Sequence, residues 1–180
     1  DTPDGEDFTT HQIEDFLAAV ERTARSRGPI AQVHVANSGA ILGHDLRTTT
    51  MVRTGIAAYG YDPNPALHRT DLHPALTWRS WVSFVKQVEP GTNIGYGRTW
   101  TAERSTTIAT IPVGYADGFP RLLSNRGVVL LDGRRCPVVG RVCMDQIMVD
   151  AGPHAGTKVG DEAVLIGSQA GETITADDMA

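Results

Sequence analysis

Cysteine is nearly absent. Cys136 and Cys143 are the only two. Two thiols cannot staple a small secreted scaffold or close a four-cysteine zinc site, so the sequence suggests a reducing, cytoplasmic setting and no metal. Lysine occurs only at Lys86 and Lys158. No apolar run approaches the ~18 residues that a membrane-crossing helix needs. The opening DTPDGEDF is acidic and polar, without the basic start and apolar stretch of a secretory signal. Positive charge is not in excess: 16 basic residues face 21 acidic ones, a net charge of −5. A general nucleic-acid binder needs a basic face to neutralise phosphates, so that class is disfavoured. What is there suits a globular protein: 41% of the 180 residues are hydrophobic, enough to fill the core of one domain or two small ones.

Residues 1–8 read as a solvated lead-in. A helix is expected from about Thr9 or Thr10, because Thr9 and Gln12 have capping-box spacing. Ile13, Phe16, Leu17, Val20 and Ala24 then recur on one face, and Gly28-Pro29 stops it. Ile30–Ala36 and Met51–Tyr59 are short β-rich runs. Between them, Asn37-Ser38-Gly39 leads into a short helical piece over Ala40–Leu42. Asp62-Pro63-Asn64-Pro65 is a turn. This alternation is α/β grammar, in which parallel strands carry functional loops at their C-terminal ends.

The grammar changes near His73-Pro74. Strands are expected over Leu76–Val88, Ser105–Val113, Gly127–Leu131, Arg135–Val139, Arg141–Asp150 and Ala163–Ile166. Asp132-Gly133 marks a hairpin, since that pair accepts the positive φ angles of a primed turn. Thr175 begins something helical. The expected organisation is therefore an α/β segment over residues 1–73 and an all-β domain over 74–180. A chain that starts on a helix and ends inside another reads as truncated at both ends.

Four stretches could carry chemistry. A strand followed by Asn37-Ser38-Gly39 can offer backbone N–H groups and a hydroxyl to an anion; the same residues also serve as an ordinary helix N-cap. Arg53, in VRTGI, needs a partner if it is buried, and Gly55 would let a ligand approach the backbone. Tyr96, between Gly95 and Gly97, is either an exposed phenol with a chemical task or a turn residue. The last pair is GYADG, around Tyr115, with VCMDQ, around Met144. In VCMDQ, Cys143 has none of the spacings of a redox, metal or nucleophilic site.

In order, the stretches FTTHQIEDF, HVANSGAIL, VRTGIAAYGYDP, HPALTWRSWVSFVKQVEPGTNIGYGRTW, TIPVGYADGFPR, DGRRCPVVGRVCMDQIMVD and KVGDEAVLIG resemble the C-terminal half of bacterial alanine racemases. The resemblance implies a fold-type III pyridoxal-phosphate enzyme: the last strands of a (β/α)8 TIM-type barrel followed by a C-terminal β-domain. It implies a head-to-tail homodimer with shared active sites and an amino-acid substrate, interconverting L- and D-alanine for peptidoglycan. By the same resemblance, Ser38, Gly55 and Ile56 hold the cofactor phosphate, with Asn37 beside them. Arg53 hydrogen-bonds the pyridine nitrogen and His34 holds Arg53. A guanidinium cannot accept a proton, so that nitrogen stays unprotonated and the ring is a weaker electron sink. Tyr96 is one of two catalytic bases, the other being a lysine, and serves the partner's site. A phenol of pKa about 10 must be tuned by its surroundings for that task. Met144 offers its backbone N–H to the substrate carboxylate. Tyr115 narrows the entrance, with Arg121 and Asp145 near it.

The Schiff-base lysine lies outside this sequence by the same resemblance, because neither Lys86 nor Lys158 stands in a cofactor-lysine motif. Racemases of serine, lysine or broad specificity share much of the β-domain. The isolated chain also reads as a non-catalytic fragment or phosphate-ligand module. A pyridoxal-phosphate homeostasis protein would lack the β-domain that residues 74–180 supply.

Overall fold

Helix α1 spans Glu6–Arg27 in the computed structural model, which describes residues 5–46, 49–64, 71–153 and 156–180. Part of the expected lead-in and Pro65 of the expected turn lie outside these residues. The helix starts earlier than Thr9. Gly5 is its N-cap, with no side-chain cap. Asp7 supplies an acidic group to the first turn, which suits the positive helix end, and its carbonyl accepts the His11 Nδ1 hydrogen at 2.7 Å. The expected capping box at Thr9 is therefore absent; that residue is already helical. Ile13, Phe16, Leu17, Val20 and Ala24 are all half-buried, while Arg22, Arg25 and Arg27 are exposed. Gly28, at φ 91°, closes the helix, donating its N–H to Ala24 O at 2.9 Å.

Ile30–Ala36 and Met51–Tyr59 are not strands, which corrects the expectation. Residues 32–37 and 51–55 carry no regular structure, and a 3-10 turn covers Ile56–Tyr59. The two segments touch through Thr50 N–H and Met51 N–H to Val33 O (2.9 and 3.2 Å) and Arg53 N–H to Ala36 O (3.1 Å). Both chains advance in the same direction along these bonds, as in a parallel pair. A ladder does not form: the Val33 N–H is taken by the Thr50 hydroxyl at 2.8 Å. Parallel strands are stable when covered on both sides, whereas Ile30 and Val52 are exposed here. The short helix α2, Ser38–Gly43, forms as expected.

The chain divides into two units, Asp1–Ala75 and Leu76–Ala180. The second is built from strands. A five-stranded sheet has β1 (Trp78–Trp81), β9 (Glu162–Gln169), β6 (Val128–Leu131) and β7 (Arg134–Pro137) in that order, with β10 (Glu172–Ile174) paired to β9. A three-stranded sheet has β2 (Phe84–Val88), β5 (Thr106–Ile111) and β8 (Ile147–Gly152), and a small pair joins β3 (Asn93–Ile94) to β4 (Trp100–Thr101). All pairings are antiparallel.

The single run expected over Leu76–Val88 is thus two strands in different sheets. The break falls at Val82-Ser83. Val82 N–H donates to Asp161 O and Ser83 N–H to Thr110 O, both at 2.8 Å, and the Val82 side chain is fully buried. The hairpin at Asp132-Gly133 forms, with φ of 51° and 67°. The core draws on both sheets. Val129, Leu131 and Leu165 meet Ile111, Ile147 and Val149 in one cluster. Every second residue of β8 is buried, as the two-residue period of a strand requires. Ile147 and Val149 each contribute about 1.5–3 kcal/mol by leaving water, and Ala151 less.

Candidate functional site

In the first unit the Ser38 hydroxyl joins two of the candidate stretches. Ser38 is buried, and its Oγ accepts the N–H of Gly55 at 2.9 Å and of Ala57 at 3.2 Å. An oxygen that accepts twice has one hydrogen left to donate. A β-carbon at Gly55 would stand 3.4 Å from that oxygen, an ordinary contact distance. Ile56 follows at the start of the 3-10 turn and is exposed. Asn37 accepts the Ala40 N–H at 3.0 Å through Oδ1, the N-cap role, and is exposed. Arg53 is exposed. His34 is half-buried, with an enclosed Nδ1 that has no hydrogen-bond partner. Among the described residues no hydrogen bond joins His34 to Arg53.

In the second unit, Gly114 positions two loops. Tyr115 N–H donates to Cys143 O at 3.0 Å and Ala116 N–H to Met144 O at 2.9 Å. A β-carbon on Gly114 would lie 2.4 Å from both of those oxygens, so only glycine fits. Gly114 N–H is held by Asp117 Oδ2 at 2.8 Å. Buried Phe119 anchors the loop and meets Trp78 edge-on, with ring centroids 6.1 Å apart. The strand expected from Arg141 therefore begins only at Ile147. Within residues 141–146, the carbonyls of Cys143 and Met144 accept from residues 115–116, and Gln146 O accepts the Cys143 N–H at 3.0 Å, in place of a sheet ladder. Tyr115 and Met144 are thereby brought together, both exposed. Arg121 places its guanidinium carbon 5.8 Å from the centre of the Tyr115 ring, a cation–π contact. Asp145 is exposed beside Met144.

Tyr96 opens a short turn, Tyr96–Arg98, flanked by glycines at φ 74°. Its side chain is 74% exposed. It lines an open cleft of about 420 Å³ together with Phe84, Lys86, Cys143, Gln146 and Met148. Cys143 is buried, its thiol 3.5 Å from Arg141 O, and burial pushes its pKa up. That environment makes it a neighbour of the cleft without thiolate character. Lys86, from the Leu76–Val88 run, and Gln146, the last residue of the VCMDQ stretch, both face this cleft, and the alternation of Phe84, Lys86 and Val88 is the signal for Lys86 in the sequence. Among the described residues no group of acidic, histidine or cysteine side chains could hold a metal ion, and no helix is long and apolar enough to cross a membrane.

The family profile "Alanine racemase, C-terminal domain" matches residues 75–180, and "Alanine racemase, N-terminal domain" matches residues 1–63. The chain belongs to the alanine racemase family. Alanine racemase of Cutibacterium acnes is 62% identical over 180 residues, all of this chain and 48% of that protein. Alanine racemase of Symbiobacterium thermophilum is 49% identical over 177 residues, 98% of this chain and 47% of the relative. The chain thus spans about half the length of the curated relatives it matches. Alanine racemase of Bacillus anthracis with bound L-Ala-P is similar in structure, with TM-score 0.87 and 36% identity over 97% of this chain and 45% of that one. Alanine racemase of Bartonella henselae with covalently bound pyridoxal phosphate gives TM-score 0.73 and 37% identity over 91% of this chain and 44% of its own. The expected fold, a barrel fragment followed by a β-domain, is that of these alanine racemases; no closed barrel is present among the described residues.

Proposed function

We propose that this chain supplies part of a pyridoxal-phosphate-dependent racemase that interconverts L- and D-alanine. The observation that carries the reading is the mounting of Tyr96. Its phenol projects from a glycine-flanked turn into an open cleft instead of packing in the core. A phenol placed that way can reach a proton on a ligand held by another surface. Racemisation needs removal of the Cα proton from one face and delivery to the other. Tyr96 serves one face, and a lysine outside this chain serves the other. The shared site requires a homodimer, in which Tyr96 of one protomer reaches the site of its partner.

The residues of the first unit fit the cofactor's phosphate. Ser38 keeps a hydrogen to donate because its oxygen already accepts two N–H groups, and the Ile56 N–H has no acceptor among the described residues. Arg53, exposed and unpaired there, would bond the pyridine nitrogen, and the orphan Nδ1 of His34 would gain a partner in the assembled site. When bound, pyridoxal phosphate supplies covalent attachment of the amino group and acidifies the Cα–H. Met144, whose own N–H donates to nothing among the described residues, would receive the substrate carboxylate. Tyr115, with Arg121 against its ring, would narrow the entrance beside Asp145. The two buried free thiols suit a cytoplasmic enzyme.

The test is Tyr96→Phe in the full-length protein. Turnover on alanine should fall roughly 10²–10⁴-fold, the usual worth of a general acid–base group, with cofactor absorbance retained. Unchanged turnover in both directions would remove Tyr96 from the reaction. Serine and lysine assayed beside alanine give the substrate preference directly.

A further inference from the structure

The direction of the Tyr96 phenol is not fixed by its ring, which is largely exposed, nor by its neighbours, which are glycines. The pairing of Ile94 with Trp100 closes the turn, and its placement against the rest of the unit is set from outside it. Asn125 sits at φ 57°, a conformation that asparagine tolerates better than most residues. Its Oδ1 accepts the Gly140 N–H at 2.6 Å. Its Nδ2 lies 3.3 Å from both the carbonyl oxygen and the Oγ1 of Thr99, the residue that closes the Tyr96–Arg98 turn. One amide therefore ties the end of the tyrosine turn to residue 140.

The other side of the turn rests on the same segment. A β-carbon at Gly140 would come 2.9 Å from Ile94 O, and one at Gly95 would come 3.1 Å from Arg141 N. At Gly97 it would come 3.3 Å from Arg141 Nε. The backbones of residues 94–95 and 140–141 approach closely, admitted by glycines on both sides, and Gly97 faces the Arg141 side chain. Next to Asn125, Ser124 Oγ accepts the Val142 N–H at 3.0 Å. The 140–142 segment is thus fastened to residues 124–125, and Asn125 extends that fastening to Thr99.

We propose that Asn125 is a positioning residue for Tyr96, its amide bridge from Gly140 to Thr99 fixing the turn from which the phenol reaches its proton. The proposal rests on the reading of Tyr96 given above. Two variants of the full-length holoenzyme test it. Asn125→Asp keeps the acceptor for Gly140 and loses the donor to Thr99. Asn125→Gly keeps the backbone angle and loses both bonds. Exchange of the Cα hydrogen with solvent deuterium is followed separately in L- and D-alanine. In Tyr96→Phe, exchange from one enantiomer should be lost, which defines the tyrosine face. Asn125→Asp should slow exchange on that face roughly ten- to a hundredfold, the cost of a small misplacement, with KM and exchange on the other face little changed. Amide hydrogen exchange at Gly140 should quicken in Asn125→Gly and not in Asn125→Asp.

Equal slowing on both faces, or no slowing, overturns the proposal; so does unchanged Gly140 protection in Asn125→Gly. If Tyr96→Phe affects one face and Asn125→Asp neither, only the Asn125 role falls. If Tyr96→Phe affects neither face, the reading of Tyr96 falls and the positioning role falls with it.

Discussion

Ser38 Oγ accepts the Gly55 N–H at 2.9 Å, across 17 residues of chain. With the bond from Ala57, it ties the start of α2 to the turn at Ile56–Tyr59. Ser38→Ala would leave two backbone donors without their acceptor. Gly55 is exposed and Ala57 half-buried, so water can reach the freed donors and the expected loss is about 0.5–1.5 kcal/mol, the net worth of a hydrogen bond, read as a lower melting temperature. Pyridoxal phosphate, titrated by absorbance into the full-length protein, should bind more weakly.

Gly114→Ala should be the most damaging single methyl in the second unit. Its β-carbon would lie 2.4 Å from two carbonyl oxygens, and these belong to backbone that cannot swing away. Overpacking of this kind costs about 1–3 kcal/mol or more. Thermal unfolding measures it, and a melting temperature equal to that of the parent would refute the contact.

Asp178 carries a pH signature. Its carboxylate accepts the Thr175 N–H at 2.8 Å and the Thr175 hydroxyl at 3.0 Å. These bonds, first the backbone one, hold its pKa below the ordinary aspartate value, with a smaller part from Arg135. A carboxyl depressed in the folded state stabilises the fold above its unfolded pKa, and the contribution is lost as pH falls through the folded pKa. The parent should therefore melt above Asp178→Asn at neutral pH, and the gap should close in acid. A gap that widens in acid would contradict the assignment.

Both thiols should react slowly. Burial pushes the pKa of Cys136 and of Cys143 upward, so little thiolate exists near neutrality. Iodoacetamide labelling of the native protein, followed by intact mass, should lag far behind labelling in denaturant. Rapid native labelling at Cys143 would show that the cleft beside Tyr96 exposes its sulfur.

The parts legible in the sequence were those governed by local rules. The apolar face of α1, its stop at Gly28, the short α2 and the Asp132-Gly133 hairpin each follow from a few adjacent residues. What was not legible depends on distant partners. Ile30–Ala36 has strand composition, yet Thr50 intercepts the Val33 N–H and no ladder follows. Leu76–Val88 is rich in strand formers but slips phase at Trp81-Val82, and the bonds of Val82 to Asp161 and of Ser83 to Thr110 show why it splits there. The strand expected from Arg141 is shortened by bonds to Tyr115 and Ala116. At the candidate site, the motifs point to Ser38, Arg53, Tyr96 and Met144. Asn125 carries no local signal, because its amide acts across 15 and 26 residues of chain.

Strand β1 finds its pairing in β9, and Arg79 meets Glu162 at 2.8 Å across 83 residues of sequence. During synthesis, then, β1 leaves the ribosome long before its neighbour exists. Trp78 and Trp81 must wait in an unpaired segment while nearly the whole second unit is translated. Such distant pairing slows folding and lengthens exposure to aggregation.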